Sequence, residues 1–119
     1  MKRYGLAKRE RLTRRADFEA TYRERRSAAD DALIVYARSS GLAYSRLGLS
    51  VAGRFGNSVR RNYFRRLCRE AFRLDKHDLP RGFDFIIIPR RRIDLTLSEI
   101  RSSLKELLRR LCGPKSEPT

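Results

Sequence analysis

The sequence predicts a single α+β domain, and three patterns carry that expectation. Apolar residues recur at helical spacing through residues 56–73 and again through 96–111. Apolar and small or polar residues alternate between Ala32 and Ala52, and an almost unbroken apolar run fills residues 82–90. With 119 residues, 40% of them hydrophobic, there is room for one modest core, and no linker is long enough to divide the chain.

Residues 1–13 are mostly basic and lack sustained periodicity, so they are expected to form an arm that orders on binding. A helix is predicted over residues 14–26, with Phe18 and Tyr22 on one face. Two roles are open to these rings: pinning the helix to the core, which the spacing alone favours, or lining a groove in which unpaired bases stack. Ser27–Asp31 reads as a turn, and its adjacent carboxylates, Asp30 and Asp31, are expected to be solvated and without chemistry. In the strand predicted over Ala32–Ser40, Leu33, Val35 and Ala37 face one way and Ile34, Tyr36 and Arg38 the other. Ser45–Ala52 alternates Leu47, Leu49 and Val51 with Gly48, Ser50 and Ala52, a face of small residues suited to close approach by a backbone or ligand. The short loop between these two strands predicts an antiparallel hairpin.

The stretch GNSVRRNYFRRLCREAFR, Gly56–Arg73, is the centre of the chain. Phe64, Leu67, Cys68, Ala71 and Phe72 form an apolar stripe, and Asn57 or Ser58 is suited to the N-cap. Asn62, Arg65, Arg66, Arg69 and Arg73 lie on the other side, with Arg60 and Arg61 at the start. As an isolated helix it is poorly built: Arg61/Arg65, Arg65/Arg69 and Arg69/Arg73 are like-charged i, i+4 pairs, each costing roughly 0.2–0.5 kcal/mol, with only Arg66/Glu70 in opposition. Arg60 and Arg61 also occupy the positive end of the helix dipole. Such a face is completed by a polyanion.

His77, the only histidine, falls in the polar connector that follows. The run GFDFIIIPR, Gly82–Arg90, predicts a strand that is central or buried on both faces. Thr96 and Glu99 form a capping box opening a helix whose stripe is Leu97, Ile100, Leu104, Leu107, Leu108 and Leu111. Gly113 and Pro114 end it, and residues 113–119 are expected to be a disordered tail.

The formal charge of +15 and calculated pI near 11.1 point to nucleic acid as partner. The cations are mostly arginine, whose planar guanidinium grips phosphate in bidentate fashion and stacks on bases. No apolar run approaches a membrane span and no signal peptide opens the chain, so a cytoplasmic location without a membrane partner is expected. Cys68 and Cys112 are too few and too far apart for a zinc site and read as buried free thiols. No nucleophile with its base, paired carboxylates or clustered metal ligands stands out, so the expectation is binding, with no catalytic residue, metal site or small-molecule substrate.

The run LSVAGRFGNSVRRNYFRRLCREAFR, then DFIIIPR and the late LTLSEIRSSLKELLRR, closely resembles the protein subunit of bacterial ribonuclease P over residues 6–111. The resemblance implies a two-layer αβββαβα sandwich, similar to ribosomal-protein domains, with a left-handed βαβ crossover. It implies a subunit of an endoribonuclease holoenzyme that removes the 5′ leader of precursor tRNA. The catalyst is then the ribonuclease P RNA, working with divalent metal ions such as magnesium, and the protein alone binds no cofactor. Carried over by position, Arg61 and Asn62 match the first two residues of the family's Arg-Asn-Arg signature. Arg60, Arg65, Arg66 and Arg69 join them in contacting the catalytic RNA. Phe18, Tyr22 and Tyr36 match positions of the cleft that receives the leader, and Lys8, Arg9 and Arg11 match an RNA-proximal segment.

Three departures are visible. Tyr63 replaces the signature's second arginine, and Gly53 and Arg54 stand where two basic residues are common. Asp30 and Asp31 replace polar or basic residues, which is expected to make that edge of the cleft less cationic. Two rivals predict different behaviour: a ribosomal-RNA-binding protein would co-sediment with ribosomal subunits, and a self-sufficient metal-dependent nuclease would cleave without RNA.

Overall fold

The computed structural model describes residues 6–112. Its elements run α1 (Arg15–Arg23), β1 (Ser27–Ala29), β2 (Leu33–Ser39), β3 (Arg46–Leu49), α2 (Ser58–Asp75), β4 (Phe83–Pro89) and α3 (Leu97–Cys112), the αβββαβα order. The four strands form one sheet in the order β1-β2-β4-β3, with β3 and β4 parallel and the other pairs antiparallel.

Two local expectations are corrected. The first three residues of the expected turn at Ser27–Asp31 pair as a short edge strand, with Ser27 opposite Tyr36. β2 and β3 are not a hairpin, because β4 lies between them. β4 is buried on both faces and apolar but for Asp84, so its most favourable place is the sheet interior, where both edges are paired. Crossing it requires the β2–β3 connection to span two strand spacings, roughly 10 Å, which residues 40–45 do. Ser45 secures that crossing: its hydroxyl donates to the Pro80 carbonyl (2.8 Å) and accepts from the Phe83 N–H (3.1 Å).

One face of the sheet carries the core. Leu33, Val35, Ala37, Leu47, Phe85 and Ile87 are buried against Phe64, Cys68, Ala71 and Phe72 of α2 and Ile100, Leu104, Leu107 and Leu108 of α3. This sheet and helix pair are the two layers of the sandwich, and α1 lies against part of the opposite face. The predicted capping box closes α3: the Thr96 N–H donates to Glu99 (2.8 Å) and the Glu99 N–H to the Thr96 hydroxyl (3.1 Å). Asn57 is the N-cap of α2, accepting from the Arg60 N–H at 2.9 Å. Cys68 and Cys112 are free; burial pushes the Cys68 thiol well above its ordinary range and the Cys112 thiol up to about 11.

The carboxylates are structural. Asp30 is half-buried and engaged, not free in solvent: it accepts from the N–H groups of Ala32 and Leu33 (2.9 Å each) and from the Ser103 hydroxyl (2.6 Å), joining the β1–β2 turn to α3. Asp75, at the end of α2, takes both guanidinium contacts of Arg101 (2.7 and 3.0 Å). The expected arm is also not free from residue 6 onward. Leu6 and Leu12 are buried, the Leu12 N–H donates to the Leu47 carbonyl (2.9 Å), and Glu10 pairs with Lys76 (2.9 Å). The remainder of that arm, residues 1–5, and the expected tail, 113–119, lie outside the described residues.

The hydrogen bonds from Arg101 hold the Asp75 carboxyl below its ordinary range, against the opposing effect of burial. A carboxylate with a lowered folded-state pKa stabilises the fold above its unfolded pKa, near 3.9, and that contribution disappears as pH falls through the folded value. Asp75→Asn is therefore expected to cost roughly 1–3 kcal/mol at neutral pH. In urea denaturation across a pH series, the gap between the two proteins should narrow below about pH 4.

Candidate nucleic-acid interface

The site is built on the face of the sheet opposite the core. Asp84, in the central strand, is fully buried and is flanked in register by Arg38 of β2 and Arg46 of β3. Arg38 donates to one carboxylate oxygen at 2.6 Å, and Arg46 spans both at 2.8 and 2.9 Å. Asp17 of α1 approaches the same two guanidiniums at 3.7 and 3.5 Å. Two cations and two anions thus fasten α1 across the sheet. The sequence contained one sign of this arrangement, a lone carboxylate inside an apolar strand.

Above this floor the next row of side chains is Tyr36, Ile86 and Gly48, by the same register. Phe18 and Tyr22 descend onto it from α1. The Tyr22 and Tyr36 rings meet edge to face with centroids 4.9 Å apart, and Phe18 lies 6.4 Å from Tyr22. All three rings are half-buried, so they both pack and line an open edge. Gly48 makes room for them: a Cβ there would stand 2.7 Å from Phe18 Cζ and 3.1 Å from Leu12 Cβ. The space over Gly48, on the face of small residues, is therefore filled by this chain's own Phe18 and Leu12.

Of the three cleft rings, Phe18 also lines a hollow that α2 borders. A cavity of about 780 Å³ lies elsewhere, between the β1–β2 turn and α3, but it has a mixed-charge lining that includes Asp30, Asp31, Arg91 and Glu106. The hollow at Phe18, about 290 Å³, is lined by Phe18, Leu47 and Leu49 together with Arg11, Arg65 and Arg69. Burial, then the like charges of Arg11 and Arg65, hold the Arg69 guanidinium below its ordinary range. Three guanidiniums thus converge on one hollow without a neutralising carboxylate among the described residues.

Hydrogen bonds preset part of this surface. Arg65 donates to the Asn62 side chain (2.8 Å), and Arg61 donates to the Gly56 carbonyl (3.0 Å), where the backbone takes a positive φ of 145°. Glu70 is bound through both oxygens by Arg73 (2.6 and 3.1 Å), which leaves Arg66 without the close pairing expected at i, i+4. Arg60 is separate, beside Tyr63 and Ile93 on another flank of the helix. Of the expected RNA-proximal segment, Arg11 joins the groove. Lys8 and Arg9 sit on a single helical turn, Lys8–Glu10, where Arg9 stacks over Tyr44 at 4.5 Å. Asp30 and Asp31 do not make a cleft edge less cationic as expected: Asp30 is turned to Ser103, and the exposed Asp31 faces Arg91 at 3.6 Å. Among the described residues, no cluster of three or more His, Cys, Asp or Glu is placed to hold a metal ion.

A small α+β domain with an aromatic cleft running into an uncompensated arginine helix defines a class of protein suited to polyanions with flat apolar parts. Comparison with known proteins narrows the class. Residues 6–112 match the family model described as Ribonuclease P. The ribonuclease P protein component of Thermotoga maritima is 39% identical over 114 residues, covering 92% of this chain and 97% of the relative. The solved ribonuclease P protein from the same organism aligns with a TM-score of 0.79 at 38% identity, over 87% of this chain and 99% of that one. The Staphylococcus aureus ribonuclease P protein aligns at 0.77 and 32% identity, over 87% and 96% of the two chains. The chain belongs to the ribonuclease P protein family, whose members are components of a ribonuclease holoenzyme of tRNA processing with an RNA partner.

Gly48→Ala tests the packing of the cleft. The added methyl should turn the Phe18 ring from its place at a cost of only roughly 1 kcal/mol, because the contact is with the tip of a half-buried side chain, and it is read chiefly by altered ring-current shifts at Tyr22 and Tyr36. Unchanged shifts would mean that Phe18 does not rest on Gly48.

Proposed function

We propose that this protein is the RNA-binding cofactor of ribonuclease P, acting in the cytoplasm on precursor tRNA. The flank of α2 carrying Arg61, Asn62, Arg65 and Arg69, together with Arg11, holds the catalytic RNA through its phosphates. The cleft of Phe18, Tyr22 and Tyr36 receives the single-stranded 5′ leader. Endonucleolytic cleavage at the 5′ end of the mature tRNA is carried out by the RNA subunit with its divalent metal ions.

The observation that carries this reading is that one hollow is lined both by Phe18 of the aromatic cleft and by Arg65 and Arg69 of α2. A leader lying on the rings meets guanidiniums at the same place where α2 meets the catalytic RNA. The protein can therefore hold substrate and catalyst together. Stacking contributes about 1–3 kcal/mol per base and tolerates any sequence, as a cofactor serving many tRNA precursors requires. Phosphate contacts add affinity through counterion release and make it depend on salt.

One binding experiment tests both halves. Arg65→Ala with Arg69→Ala should weaken binding to ribonuclease P RNA and flatten the log–log salt slope by roughly 1–2 units. Phe18→Ala should reduce holoenzyme affinity for precursor tRNA with a leader more than for mature tRNA. An unchanged slope would remove the arginines from the interface, and equal losses on both tRNAs would return Phe18 to a purely structural role.

A further inference from the structure

The most cationic helix of the chain also exposes an apolar patch. Val59 and Tyr63, one turn apart on α2, are 75% and 56% exposed. By helical position they lie on the flank of α2 away from Arg65 and Arg69. Beneath them the connector between β4 and α3 brings up Ile93 and Leu95, each 5% exposed, as the floor of a cavity of about 380 Å³. Exposed apolar side chains that gather around a hollow mark a binding surface more often than scattered ones do.

The charges around this hollow decide what fits it. Arg60 stands on its rim, and the Arg66 guanidinium lies 6.0 Å from the centre of the Tyr63 ring. The carboxylate at the rim, Asp94, is engaged by Arg92 at 3.3 Å, and nearby Glu70 is engaged by Arg73 at 2.6 Å. Asp94 also lies within electrostatic reach of Arg60, and Glu70 within that of Arg66, but each carboxylate is bound by a closer guanidinium, so positive charge stays in excess beside an apolar slot with an aromatic wall. A lone apolar peptide would leave both guanidiniums without counter-charge. A nucleobase flanked by its own phosphates complements slot and cations together.

We propose that the hollow formed by Val59, Tyr63, Ile93 and Leu95 takes one unstacked nucleobase of the RNA subunit, stacked on Tyr63, with Arg60 and Arg66 on the adjoining phosphates. This rests on the reading of α2 as the helix that meets the catalytic RNA. The base belongs to that RNA because the leader cleft is on the other flank of the helix. α2 is then gripped on both flanks, by phosphate contacts alone on one and by a seated base with its adjoining phosphates on the other.

The test is binding of ribonuclease P RNA to the full chain and to Tyr63→Ala and Tyr63→Phe, across a salt series. Circular dichroism would establish that each variant is folded, and sedimentation velocity would measure self-association. Tyr63→Ala should bind roughly 10–100-fold more weakly at every salt concentration with an unchanged salt slope, because a stack is lost and no phosphate contact is. Tyr63→Phe should bind as the unaltered chain does, and neither should change the preference for precursor over mature tRNA.

Unaltered affinity in Tyr63→Ala would overturn the pocket, as would a flattened slope, or self-association of the unaltered chain that Tyr63→Ala abolishes. If Arg65→Ala with Arg69→Ala weakens binding while Tyr63→Ala does not, the pocket fails alone. If the unaltered chain does not bind the RNA, the reading beneath it fails too.

Discussion

A carboxylate with no exposed surface, Asp84, sits between two arginines on the central strand, and the cleft depends on it. Burying an unpaired carboxylate would cost several kcal/mol, so Arg38 and Arg46 must stand on either side of it. That requirement fixes the register of three strands. A slip of one residue would turn Asp84 into the apolar face and Phe85 out of the core. The same two guanidiniums reach Asp17, which sets where α1 lies, and α1 carries Phe18 and Tyr22. The distance from one buried charge to the aromatic rings is a single row of side chains, Tyr36, Ile86 and Gly48.

The formal charge of +15 is distributed with a consistent logic. Four carboxylates tie parts of the fold together: Asp84 under the cleft, Asp75 between α2 and α3, Glu10 between the N-terminal segment and α2, and Asp30 between a turn and α3. What is left around Arg11, Arg65 and Arg69 is positive charge that repels itself. α2 tolerates this because its stability comes from the other side, where Phe64, Cys68, Ala71 and Phe72 are buried. A helix made unfavourable by its own arginines is held in place by its core face and presents that repulsion to a ligand able to relieve it.

The sequence made α2, α3 and β4 legible because each has enough turns or apolar residues for its periodicity to stand out. Asn57 and the Thr96/Glu99 box marked helix starts because capping is a local interaction. Strand pairing is not local. Leu33–Ser39 pairs with a strand some fifty residues later in the chain, so the short loop after it suggested a hairpin that the sheet does not contain. β1 has only three residues and no alternation to read. For the site, helical spacing could place Phe18 and Tyr22 together but could not separate core from cleft, because the rings are half-buried and serve as both. The resemblance supplied their location, and the structure supplied the reason in Gly48. The contact of Arg11 with the α2 arginines, and the docking of Leu6 and Leu12, arise from tertiary packing of a segment without periodicity.

On the proposed reading, this polypeptide holds RNA and leaves the cleavage chemistry to an RNA subunit. Cleavage of precursor tRNA at low magnesium, with protein alone, bacterial ribonuclease P RNA alone and both together, tests it most directly. Efficient cleavage is expected only in the mixture, with the cut at the 5′ end of the mature tRNA. Cleavage by the protein alone would place an active site on the polypeptide and contradict it. No gain over RNA alone would contradict it equally, by removing the protein from the reaction.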